Sequence, residues 1–101
     1  KIKCVQAVDK NAKEVMWLFT IISCYKDIIQ KKLRQKNIET NQVHFRNDKY
    51  SIFKKFSKNK TFVNMDKLQD KYLVLPMHTK MTINDAKRVS FEINKIIKEL
   101  N

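Results

Sequence analysis

Asn41-Gln42-Val43-His44-Phe45-Arg46-Asn47-Asp48 is the densest run of polar groups in the sequence. It holds carboxamides, an imidazole, a guanidinium and a carboxylate within a few residues. In an extended chain, alternation puts Thr40, Gln42 and His44 on one side and Asn41, Val43 and Phe45 on the other. Arg46 follows at the end. A half-buried strand rarely leaves so many hydrogen-bonding groups without partners. Two readings stand side by side. The segment is either a solvated edge strand and turn, or a face on which His44 and Arg46 meet a ligand. Arginine is the natural anchor for a phosphate or carboxylate. His78, just after Leu75-Pro76-Met77, is a further candidate, and as a residue following a strand-ending proline it also has a purely structural reading.

Other chemistries lack their parts. His44 and His78 are the only histidines, and neither has a second ligand at helical or CxxC spacing, so no metal site is expected. Cys4 and Cys24 form no CxxC or CxxH pattern and read as ordinary thiols of a cytosolic protein. Paired carboxylates for glycoside chemistry have no candidate. The sequence contains no glycine, which excludes a P-loop and a GxGxxG turn.

The stretch from Tyr50 to Lys60 interleaves lysines with Phe53 and Phe56. Charge and stacking of this kind can hold a single nucleic-acid strand. Ile52, Phe53 and Phe56 also fit a short amphipathic helix docking on the core. The formal net charge of +12, from 22 Lys and Arg against 10 Asp and Glu, favours anionic partners. The excess is mostly lysine, a bias that AT-rich coding also produces.

These residues need a frame. The 101 residues, 43 % of them hydrophobic, suit one domain, residues 1–101, with 1–13 as a lead-in. No apolar run is long enough to span a bilayer, so no membrane is expected, and nothing at the N-terminus resembles a signal peptide. The absence of an initial Met points to a piece of something longer or a trimmed chain.

A short strand is expected near Ile2–Val8 and a loop over Asp9–Lys13. Trp17–Ile22 reads as an inner strand, apolar on both faces. Asp27–Lys36 reads as a helix with Asp27 as N-cap and with Ile28, Ile29 and Leu33 on one face. Asn37 falls where a left-handed C′ residue is needed. Ile38–Phe45 has extended character, and Ser51–Phe56 reads as a helical turn. Asn64 can cap a helix over Met65–Asp70. Tyr72–Leu75 reads as a buried strand ended by Pro76. Thr82-x-x-Asp85 resembles a capping box, followed by Ala86, Val89, Ile93, Ile96, Ile97 and Leu100 at helical spacing. Phe91 lies on the opposite side, either as an isolated exposed ring or as a contact with a missing neighbour. Together these give an α+β fold: a small antiparallel or mixed sheet, helices packed on one face, and a long C-terminal amphipathic helix.

Trp17-Leu18-Phe19-Thr20-Ile21, the segment from Asn37 to Asp48, and the segment from Tyr72 to Thr82 resemble, in this order and spacing, the C-terminal region of DegT-type aminotransferases. These are pyridoxal-phosphate (PLP) enzymes of sugar-nucleotide and polysaccharide biosynthesis. The resemblance covers roughly Ala12 to Leu100, and Leu75-Pro76-Met77-His78-x-x-Met81-Thr82 is its most specific part. Asn37 stands where the family usually has glycine. The resemblance implies the small C-terminal domain of an aspartate-aminotransferase-like enzyme, closing over nucleotide-linked keto sugars for polysaccharide or lipopolysaccharide synthesis in the cytoplasm. His44 and Arg46 would lie nearest the substrate, with Gln42 and His78 as weaker candidates. The Schiff-base lysine and PLP would belong to a missing large domain, and the parent would be a homodimer. No lysine here matches the catalytic one, so this chain alone should bind no PLP. The second reading is an independent basic nucleic-acid-binding module.

Overall fold

The computed structural model describes all residues except 1, 6–8, 10, 12, 14, 15 and 101. Among the described residues the order is β1 (Lys3–Cys4), β2 (Phe19–Ile22), α1 (Lys26–Gln35), two 3-10 turns (Asn47–Lys49 and Ser51–Phe53), α2 (Lys54–Ser57), α3 (Val63–Leu68), β3 (Tyr72–Leu75) and α4 (Ile83–Leu100). The fold is α+β, built on a three-stranded antiparallel sheet in the order β1-β2-β3.

β2 takes the central place, as expected of a run that is apolar on both faces. Its register pairs Phe19 with Leu75 and Ile21 with Leu73. Alternation sends these four side chains to one face, where they meet Ile29 and Leu33 of α1 and Val89, Ile93 and Ile96 of α4 in one core. Ile29, Leu33 and Leu73 are the most deeply buried. The ladder stops at Phe19–Leu75, because Pro76 follows and has no N–H to donate. Trp17, expected in this strand, therefore lies outside it and is 72 % exposed. The expected first strand shrinks to Lys3–Cys4, and its far end at Val8 lies outside the described residues, as does part of the Asp9–Lys13 loop.

α1 ends on a Schellman motif. The Ile38 N–H donates to the Leu33 carbonyl at 3.0 Å, and the Asn37 N–H to the Arg34 carbonyl at 3.0 Å. This geometry requires a left-handed residue at Asn37, whose φ is 55°. Ile38 and Leu33, both buried, supply the apolar contact that accompanies the motif. Arg88 of α4 adds a donor, its Nη2 reaching the Lys36 carbonyl at 2.5 Å. A surface ion pair between Lys32 and Glu99 also joins α1 to α4, and its exposure makes it a minor contributor.

α4 opens on the expected reciprocal cap. Thr82 N–H donates to Asp85 Oδ2 at 2.8 Å, and Asp85 N–H donates to Thr82 Oγ1 at 3.2 Å. The Thr82 hydroxyl, donating to Asp85 Oδ2 at 2.6 Å, and then the Thr82 N–H hold the Asp85 carboxyl below its ordinary range. Ala86, expected on the buried stripe, is exposed; the buried residues of α4 begin at Val89.

Other starts differ from expectation. α1 begins one residue earlier than Asp27, which is in the first turn and pairs with Lys26 Nζ at 2.9 Å. Ser23 provides the reason: its Oγ accepts the Tyr25 N–H and its carbonyl accepts the Lys26 N–H, so the first turn closes upstream. Asn64 is inside α3, with Phe62 at the cap position. Ile38–Phe45 forms no regular strand. Only Asn41 bridges Val74, through bonds of 3.1 and 2.7 Å. The helical turn expected over Ser51–Phe56 is present but does not dock on the core: Ile52 is 73 % exposed and Phe56 61 %.

Two substitutions test this frame by urea denaturation. Leu33→Ala is expected to cost about 2–5 kcal/mol, as a large-to-small change at a fully buried site. Asn37→Val is expected to cost about 1–2 kcal/mol through its left-handed backbone, whereas Asn37→Gly leaves the midpoint unchanged or raises it.

Candidate functional site

The polar segment Asn41–Asp48 gains its shape from side chains rather than from a strand ladder. Asn41 ties it to β3. Gln42 is spent inside the protein: its amide donates to the Gln69 carbonyl, and its oxygen accepts from Lys26 Nζ at 3.4 Å. Tyr72 Oη donates to the His44 carbonyl at 2.6 Å.

Arg46 closes the segment. It is 6 % exposed. Its Nε and Nη2 make a two-pronged contact with Asp48, both at 2.8 Å. Its Nη1 donates to Asp66 Oδ1 at 2.5 Å and to Gln69 Oε1 at 3.0 Å. Two carboxylates raise the guanidinium further above its already high pKa, and the guanidinium holds the Asp48 carboxyl below its ordinary value. A buried charge needs this degree of pairing. The fork that could anchor an external anion is therefore turned inward, onto the protein's own acids.

With Gln42 and Arg46 occupied, His44 is the exposed candidate of the cluster. Its ring lies 5.7 Å from that of Trp17, tilted by 43°. It lines an open depression of about 670 Å³ with Phe45, Phe53, Phe56, Phe62 and Met65. Arg46 and Asp48 lie along the same depression. His78 is exposed and borders a different depression of about 400 Å³, beside Pro76, Met81 and Arg88. The structure thus brings together His44, Arg46 and, through Gln69, Gln42. It leaves His78 apart.

Sequence reasoning missed Asp66 and Gln69. Their i, i+3 spacing places both on one side of α3 and its last turn, where they can share a partner. That spacing was the available signal. The aromatic wall of Phe53, Phe56 and Phe62 was also missed, because Phe53 and Phe56 fitted a helix docking on the core and Phe62 was not singled out. Among the described residues no group of three or more His, Cys, Asp or Glu could hold a metal ion. Cys4 and Cys24 are free thiols, both exposed.

The chain belongs to the DegT/DnrJ/EryC1/StrS aminotransferase family, whose model matches residues 1–94. It superimposes on the crystal structure of the sugar aminotransferase CalS13 from Micromonospora echinospora with a TM-score of 0.77 and 22 % identity, over 91 % of this chain and 25 % of that one. It also superimposes on the aminotransferase TlmJ from Streptoalloteichus hindustanus, with a TM-score of 0.81 and 13 % identity, over 98 % of this chain and 27 % of that one. At these identities the likeness is one of fold. The chain spans about a quarter of the length of either structure. No curated protein matches the sequence significantly.

PLP, the cofactor this family implies, needs a desolvated lysine amine and a cradle for its phosphate. The described residues do not fit that need. Lys26, the one buried lysine among them, is held between Asp27 and Gln42. Lys60, the lysine bordering the main depression, is exposed. The Arg46 fork is filled by carboxylates.

The Asp48 carboxyl gives a pH test. Its folded-state pKa is depressed, so its contribution is fully present above the unfolded value of about 3.9 and is lost as pH falls through the folded value. Thermal midpoints measured between neutral pH and strong acid should fall below about pH 4. Asp48→Asn should have a lower midpoint at neutral pH and a shallower fall in acid.

Proposed function

We propose that this chain acts as the small C-terminal domain of a PLP-dependent aminotransferase, closing over a nucleotide-linked keto sugar whose chemistry is carried out on a larger portion. The reading rests on one combination. The family match spans residues 1–94, yet among the described residues the buried Lys26 and the buried Arg46 are already committed to the protein's own side chains. The lysine that holds PLP and the groups that bind its phosphate then belong to the larger portion. The parent enzyme is a homodimer of the cytoplasm that serves polysaccharide or lipopolysaccharide synthesis.

In this proposal His44 faces the substrate from the rim of the aromatic depression. Arg46 and Gln42 act behind it as positioning residues, fixing the backbone that carries the imidazole. His78 fronts the junction with the larger portion.

Two experiments test the reading. PLP and borohydride added to the 101-residue chain should give no adduct at a single lysine, whereas the coding sequence immediately upstream should specify a segment that forms one. A stoichiometric adduct on one lysine of this chain would overturn the proposal. In the complete enzyme, His44→Ala should lower kcat/KM about tenfold, the scale of one lost hydrogen bond at about 1.4 kcal/mol. The thermal midpoint should stay unchanged, because His44 is exposed. Unaltered kinetics would remove His44 from the site.

A further inference from the structure

The aromatic depression is an unusual surface for so small a chain. Phe45 is 60 % exposed, Phe53 41 %, Phe56 61 %, Phe62 37 % and Met65 39 %. All five border the same cavity. At roughly 200 Å² per aromatic side chain, the four rings alone leave about 400 Å² of apolar surface in water. A patch of that size on a folded protein usually marks an interaction site. α2 and α3, which carry Phe56 and Met65, bury no residue of their own.

A lysine rim adjoins the patch. A second depression shares Asp48, Ser57, Lys60 and Phe62 with the first and is walled by Lys49, Lys54, Lys55 and Lys58. These lysines are exposed, and none takes part in an ion pair among the described residues. The nearby acids, Asp48 and Asp66, are both committed to Arg46. The rim thus carries positive charge that no ion pair among the described residues neutralises.

We infer that this surface docks against a protein face that is apolar at its centre and rich in carboxylates at its edge, and that the larger aminotransferase portion carries that face. The inference rests on the proposed function for the identity of the partner. Charge decides against a second copy of this chain, since two lysine rims on chains of formal charge +12 would face each other. The rings decide against nucleic acid. Phe45 meets Tyr50 edge to face at 5.0 Å, and the Lys55 ammonium covers Phe56 at 4.9 Å from its centroid. Ring faces occupied in this way are poor platforms for stacked bases. The partner is large, because the superimposable structures are about four times the length of this chain.

Lysine accessibility tests the inference. Reductive methylation, read by mass spectrometry, compares the 101-residue chain alone with the same chain together with the polypeptide encoded immediately upstream, in one chain or added separately. Methylation of Lys54, Lys55 and Lys58 should slow severalfold, and that of Lys31 and Lys87, exposed on α1 and α4, should not change. Phe56→Asp should abolish the protection without altering the thermal midpoint of the chain alone. If the combined protein transaminates with PLP while these lysines stay equally reactive, the docking surface is wrong and the proposed function stands. If the upstream polypeptide supplies no PLP-binding segment, both fail. Tight binding of single-stranded oligouridylate at physiological salt, lost in Phe56→Asp, would replace the protein partner with nucleic acid.

Discussion

The Arg46 guanidinium organises the side of the molecule that matters for function. It is a buried charge in a chain with few acids, and it takes two of them, Asp48 and Asp66, together with Gln69. A buried ion pair adds little net stability over apolar packing, but loss of one partner leaves a charge with no water and no counterion. The interaction therefore specifies arrangement more than it adds strength. It joins the polar segment to α3 across a span that has no sheet ladder and no apolar core. Phe62 at the cap of α3, Met65 on α3, and His44 and Phe45 on the segment then border the same depression.

The two halves of the structure are held by different forces. The sheet with α1 and α4 is an apolar core in which Ile29, Leu33 and Leu73 are almost completely excluded from water. The segment Asn41–Asp48 with α2 and α3 is held by hydrogen bonds and ion pairs around Arg46, Gln42 and Tyr72. This division suits a domain that presents one face to a partner. The core keeps the frame rigid, while the polar clasp leaves aromatic rings and lysines outward. The committed acids also explain why the lysine rim finds no ion pair among the described residues, so one interaction shapes both the imidazole's setting and the charge of its surroundings.

Local rules made the frame legible. Pro76 marks the end of β3, the Thr82–Asp85 cap marks the start of α4, and Asn37 supplies the left-handed turn after α1. Each depends on residues a few positions apart. His44 and Arg46 were legible as a polar cluster, but the direction of the Arg46 fork was not. Its partners Asp66 and Gln69 lie 20 and 23 residues away, and only the tertiary fold brings them near. The spacing of Ile52, Phe53 and Phe56 was read as a core-facing helix. Periodicity reports which side chains share a face and cannot say what covers that face. Asp27 was misplaced as a cap because Ser23 closes the turn upstream of it first, and Asn64 was misplaced because α3 already begins at Val63.

The central claim is that Arg46 acts inward, as the clasp that prebuilds the edge carrying His44. Native-state amide hydrogen exchange on Arg46→Met tests it most directly, since methionine keeps much of the side-chain volume and removes the charge. Protection should fall together across residues 42–48 and 66–69, while the amides of β2 and β3 exchange as before. Unchanged exchange in those two segments, or an equal loss throughout the sheet, would contradict the account.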